Sequence, residues 1–252
     1  MFNKIVLFIP LVFFLLLLFS CDKEIDSKKK IGMFVVGEGY DDAGYTQNCK
    51  MGLMKAFKEY PFDTMFVSLS THKQEEIDYF AENGFDALFL AGSLASEELL
   101  VTAAENPDIQ FFIIDYTYRG LLKNVKCINF DIDEAAMPCG FLAAYWAARV
   151  DPENPVLAMI GGIDIPAINT FIAAYISGMN YYNKKYNASV KVIKHYLNSF
   201  DDDNLGYIVA DSLIKKCSTD IILPVAGNAG KGSLYAAKDN QKWGIGVDTD
   251  QF

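Results

Sequence analysis

The feature that most restricts this chain is an alternation, beginning at Ile31, of short apolar runs with longer amphipathic stretches. The runs "IGMFVV", "TMFVSL", "FDALFL", "IQFFII" and "KCINF" are rich in β-branched and aromatic residues. They are almost continuous in apolar character, as strands buried on both faces of a parallel sheet must be. Helical periods over 47–60, 73–83 and 96–105 separate the first four, and a longer one with the small-residue segment "CGFLAAYWAA" covers 134–149. A second series follows "DPENP": strands "VLAMI", "VKVIKHY", "DIILPV" and "WGIGVD", with helices over 167–186, 204–216 and 231–240. Repeated β–α units imply right-handed crossovers and doubly wound sheets. The expected fold is therefore α/β with two lobes, 31–130 and 131–252, each a mostly parallel sheet flanked by helices.

The residues before Ile31 set the compartment. Lys4 precedes an apolar run over 5–19, broken only by Pro10, which is short for a membrane span and has the shape of a signal peptide. It ends in "LFSC", and Leu18, Phe19, Ser20 and Cys21 resemble a bacterial lipobox. The expectation is a signal peptide over 1–20, cleavage before an acylated Cys21, and a polar tether over 21–30; the alternative is an ordinary signal or anchor helix with an incidental cysteine. Each buried methylene contributes about 0.8 kcal/mol, so two or three acyl chains hold a domain to the cell membrane, facing the periplasm or exterior.

Composition removes several function classes. Lys and Arg number 22 against 32 Asp and Glu, and no basic stripe occurs, which argues against nucleic acid as a partner. Cys49, Cys127, Cys139 and Cys217 are widely spaced with no CxxC pair, so mostly buried thiols are expected. His72 and His195 are the only histidines, too few for a zinc site or a histidine-based triad.

Ligands of open α/β sheets bind at the carboxyl ends of the strands. There the sequence places "GEGYDD", "AGS" and "DYTY" in the first lobe and "GGIDIP", "NSFDDD", "AGNAG" and "DTDQ" in the second. These segments hold acids, amides, glycines and aromatics, with Arg119 the one cation nearby and no nucleophile beside a base. "GEGYDDAG" fits neither GxGxxG nor a Walker A loop, and its carboxylates would repel a phosphate. Carboxylates accept hydrogen bonds, so such a cleft suits a neutral or cationic small molecule rich in hydroxyls or amines.

The segments "YDDAGYTQNCKMGLMKAF", "FFIIDY", "FDIDEAAMPCGFLAAYWAA", "IGGIDIPAINTFIAAYISGM", "SFDDDNLG", "VAGNAGKGSLYAAKD" and "IGVDTDQ" occur in that order. Together they resemble the basic membrane protein family of lipoproteins, whose relatives include purine-nucleoside receptors of ABC importers with the type I periplasmic-binding-protein fold. The resemblance implies capture without chemistry: a nucleoside held between two lobes and presented to an ABC permease by a monomer that needs no cofactor or metal. It implies that Asp42, Tyr45 and Thr46 match the family's aspartate, phenylalanine and asparagine after the first strand. Asp115 then faces the base, Phe200 is a second stacking aromatic, Gly227 belongs to a glycine loop, and Asp248 holds ribose hydroxyls. The hydroxyl of Thr46 is a departure from the family's amide.

Structural roles remain open: helix capping for Asp42 or its neighbour Asp41, core packing for Tyr45, a hydrophobic staple for Phe200, a tight turn for Gly227, and loop acids without a ligand for Asp115 and Asp248. Family members continue beyond the position of Phe252 and return to the first lobe, so the resemblance also implies a C-terminally truncated member with an unpaired edge strand and exposed apolar surface there. Two other readings stand beside the receptor: a surface adhesin or regulatory lipoprotein that binds a macromolecule, and a non-functional fragment of the receptor. A nucleoside hydrolase would require a DxDxxxDD cluster at the first strand, which "GEGYDDAGY" does not supply.

Overall fold

The computed structural model describes residues 28–37, 39–120 and 122–251. The expected signal peptide, the acylation residue Cys21 and the tether as far as residue 27 lie outside the described residues, as does Glu38. Two parallel sheets carry the chain. The first contains β1 (Lys29–Val36), β2 (Phe62–Leu69), β3 (Ala87–Ala91), β4 (Gln110–Ile114) and β5 (Val125–Ile128), in the order β2-β1-β3-β4-β5. The second contains β6 (Val156–Gly161), β7 (Lys191–Tyr196), β8 (Ile221–Val225) and β9 (Trp243–Gly244), in the order β7-β6-β8-β9. β1 starts inside the segment expected as tether: Lys29 and Lys30 already pair with Phe62 and Asp63 of β2.

Period-two alternation assigns each strand's side chains to two layers. In β1, Met33 and Val35 face α1 (Tyr45–Glu59), while Phe34 joins Ile77, Phe80 and Leu99 beneath α2 (Lys73–Glu82) and α3 (Ser96–Glu105). In β6, Leu157 and Met159 face α4 (Asp133–Val150) and α5 (Pro166–Tyr186); Ala158 and Ile160 face α6 (Asp203–Cys217) and α7 (Gly227–Asp239). Every residue of β6 is buried, which is why it reads as an unbroken apolar run.

The helix pairs of the second lobe approach closely because glycines face backbone. A Cβ on Gly140 would stand 1.9 Å from the carbonyl oxygen of Tyr175, and one on Gly178 1.9 Å from that of Met137. These contacts seal α4 to α5, the seam "CGFLAAYWAA" foreshadows. Gly206 and Gly232 bring α6 and α7 together in the same way, each 1.8 Å from a facing carbonyl oxygen by the same construction.

Three expectations change. α7 begins at Gly227, not at residue 231, so "AGNAG" is the helix's first turn instead of a loop; Gly232 lets α6 lie against it, which draws the helix start back to the strand. β9 ends at Gly244, short of the expected residue 248, because after Ile245 the chain leaves the ladder and turns at Asp248, φ +66. The thiols are less buried than expected: Cys49, Cys127 and Cys139 are intermediate, Cys217 is exposed, and all four are free.

Candidate functional site

In each sheet the chain runs outward from a central strand first to one side and then to the other. β1 lies between β2 and β3, and β6 between β7 and β8. At such switch points the loops leaving neighbouring strands diverge and open a crevice. The two crevices face each other and merge into one cavity of about 740 Å³, within the range of small-molecule sites. The first lobe contributes Gly39, Asp42, Tyr45, Gly92 and Asp115; the second contributes Phe200, Asp201, Gly227 and Asp248. All seven residues singled out in the sequence line this cavity, Thr46 included.

The loop after β1 is organised by Asp42. Its Oδ1 accepts from the backbone N–H of Gly44 and Gln47, both at 3.0 Å, and its Oδ2 from that of Thr46 at 2.8 Å. The N-terminus of α1 is thus occupied by the protein's own carboxylate, which engages three backbone donors that could otherwise cradle a phosphate. Thr46 Oγ1 donates to the carbonyl of Gly39 at 2.9 Å, closing the loop on itself.

Tyr45, on the first turn of α1, donates its hydroxyl to the Ile114 carbonyl at 3.3 Å, and also meets Asp115. Burial and then the Asp115 charge push its phenol far above the usual range. Cys49 lies one turn further along, its thiol pushed up to about 12 by burial and then by Asp115, which makes it unreactive. Asp115 follows β4 in the left-handed region, φ +59, and burial raises its carboxyl while the Tyr45 hydrogen bond opposes the rise. Asp248 is exposed, in part to the cavity it lines, yet protein surrounds it closely enough that desolvation, then Asp42 and Asp115, push its carboxyl up to about 6.

Phe200 is positioned by glycines. A Cβ on Gly162 would stand 2.3 Å from two of its ring carbons, and one on Gly227, φ +54, would stand 3.0 Å from its carbonyl oxygen. Phe200 precedes the capping residue Asp202 by two positions, and the fourth residue of α6 is Gly206, so the side-chain partner a staple requires is absent.

Several lining residues were not singled out in the sequence: Asn48, Phe130 and Phe171, and also Ser93 and Asp201, although these two lie in the strand-end segments "AGS" and "NSFDDD". Asn48 and Phe171 sit within helices, where a strand-end rule gives no signal. No Lys, Arg or His lines the cavity among the described residues, nor does any cluster there suit a metal ion.

Comparison with known proteins gives a consistent result. Residues 28–252 match the family described as ABC transporter substrate-binding protein PnrA-like. Basic membrane protein B of Borreliella burgdorferi is 31% identical over 264 residues, an alignment covering 98% of this chain and 73% of that protein. Basic membrane protein A of the same species is 28% identical over 255 residues, covering 99% and 72%. A solved solute-binding protein of an ABC transporter system from Aeropyrum pernix superposes with a TM-score of 0.81 at 25% identity, covering 87% of this chain and 62% of that one. The two-lobed α/β architecture is thus that of type I periplasmic solute-binding proteins, and the chain belongs to the PnrA-like family of ABC transporter substrate-binding proteins.

Proposed function

We propose that this protein captures nucleosides, purine nucleosides foremost, in the cleft between its lobes and delivers them to an ABC permease. The observation that carries this reading is the cavity's chemistry. Aromatic rings from both lobes, Tyr45 and Phe200, share it with the carboxylates Asp42, Asp115, Asp201 and Asp248, and no cation among the described residues lines it. A flat base offers two π faces to such rings, and sugar hydroxyls donate to carboxylates. Phosphorylated ligands meet repulsion there, with the α1 N-terminus already filled by Asp42.

On this reading Asp115 reads the base edge, Asp248 holds the ribose, and Gly227 keeps Phe200 in place as the second wall of an aromatic clamp. The ligand stabilises lobe closure only through its tighter binding to the closed arrangement. No helix among the described residues is long and apolar enough to cross a membrane. Attachment in this proposal rests on an acylated Cys21, to be checked by fatty-acid labelling that Cys21→Ala abolishes. The binding claim is tested by thermal denaturation against a nucleoside panel. At a ligand concentration of about 100 times Kd, stabilisation is about 2.7 kcal/mol and visible as a raised Tm. A panel that leaves Tm unchanged for every purine and pyrimidine nucleoside would exclude the reading.

A further inference from the structure

We infer that Asn48 is a positioning residue of the binding site, its side-chain amide clasping the backbone of Asp248 across the cleft so that the loop after β9 forms a wall of the cavity. Asn48 lies on α1 in the first lobe and its Nδ2 donates to the Asp248 carbonyl at 3.0 Å, a contact between residues 200 positions apart. Both residues line the cavity. Asp248 stands at φ +66, a region a non-glycine residue keeps when its surroundings hold it there.

Two further hydrogen bonds of this loop are internal to the second lobe. The N–H of Thr249 donates to the Val247 carbonyl at 2.7 Å, and that of Val247 to Gln251 Oε1 at 3.0 Å, while the Val247 side chain packs into the α4–α5 core. These bonds shape the turn but do not tie it to the first lobe. Asn48 does so, and next to it the Asp248 carboxylate lies 3.5 Å from the position a Cβ on Gly44 would take. A second acid of the same lobe, Asp201, meets the first lobe at another loop: its Oδ2 lies 3.3 Å from the corresponding position on Gly37. Acids of the second lobe thus reach glycine backbone of the first at two places, and at one of them an amide completes the join.

A neutral amide is suited to this place. It supplies a donor without adding charge, whereas an acid there would lose the donor and add repulsion to Asp42, Asp115 and Asp248. Because the clasp acts on the backbone of Asp248, it is separable from anything the Asp248 carboxylate does to a ligand. Its consequence for ligand exchange rests on the nucleoside reading; its consequence for the loop does not.

The test compares the wild-type chain, Asn48→Asp and Asp248→Asn by amide hydrogen exchange without ligand and by stopped-flow dissociation with guanosine as probe. Asn48→Asp places an acid near a helix N-terminus, which favours the helix, so the fold is retained. Loss of one hydrogen bond should raise exchange of amides 245–251 about fivefold in Asn48→Asp. Asp248→Asn keeps the carbonyl and tolerates the left-handed backbone, so its exchange there should match wild type. Guanosine should leave Asn48→Asp about fivefold faster with little change in association rate. Unchanged exchange in Asn48→Asp, or equal acceleration in Asp248→Asn, overturns the clasp. If exchange behaves as expected while wild type binds no guanosine, the clasp stands and the nucleoside reading fails.

Discussion

Asp42 commits both carboxylate oxygens to backbone N–H groups at the start of α1, so a loop that superficially suits phosphate carries its own anion. The other charged groups of the cavity, Asp115, Asp201 and Asp248, are acceptors, and selectivity should follow from that. Phe200 and Tyr45 supply the flat surfaces; stacking on a base is worth roughly 1–3 kcal/mol by alanine substitution. Phe200→Ala should therefore weaken nucleoside binding about tenfold to a hundredfold by calorimetry with little loss of fold, since the ring rests on Gly162 at the cavity wall. Tyr45→Phe should cost less than Tyr45→Ala, because it keeps the ring and loses only the hydroxyl's contacts with Ile114 and Asp115. Normal binding by both alanine variants would return these rings to a packing role. Asp248 adds a pH signature. With its carboxyl raised to about 6, the ligand-free fold binds a proton more tightly than the unfolded chain, so this group's contribution to stability declines as pH rises from about 4 to about 6. A ribose hydroxyl donating to the ionised form lowers that value again. Affinity should then rise between pH 5 and pH 7 and level off, with proton release at pH 6 seen as buffer-dependent binding heat. Affinity that falls over this interval would remove Asp248 from the hydroxyl contact.

Close backbone contact, not side-chain bulk, sets how the helices of the second lobe pack. A methyl group on Gly178 would meet the Met137 carbonyl, and neither helix backbone can yield as a flexible side chain would. Gly178→Ala should destabilise the protein by about 3 kcal/mol, a Tm decrease of roughly 6–12 °C for a chain of this size. A smaller change would mean that α4 and α5 can separate without disturbing the sheet. Legibility in the sequence follows the same physics. Strands such as Val156–Gly161 were readable because burial on both faces leaves only apolar residues. The start of α7 was not, because "AGNAGKG" has the composition of a loop and is helical only where α6 lies against it. Of the site, Asp115, Phe200 and Asp248 could be found from their positions after strands. Asn48 could not: it sits within a helix, and its role depends on a partner 200 residues away that only the arrangement of the lobes supplies.

At the scale of the whole molecule, two similar sheets place their switch points opposite each other, and the cavity between them has walls from both. The matched length is 73% of Basic membrane protein B and 62% of the Aeropyrum pernix solute-binding protein, and every residue discussed at the cavity falls within residues 28–252, which match the family. A binding protein built this way recognises by enclosure, so a ligand must satisfy both walls at once. A lining whose charged groups among the described residues are all carboxylates turns that into a sharp discrimination between a nucleoside and its phosphate ester. The decisive measurement is calorimetric titration of the purified full chain with guanosine and, in parallel, guanosine 5′-monophosphate at neutral pH. Saturable one-to-one binding of guanosine, with the monophosphate weaker by about a hundredfold or more, is the result expected where a phosphate meets unpaired carboxylates in a confined site. Equal or tighter binding of the monophosphate, or no binding of either, would contradict it.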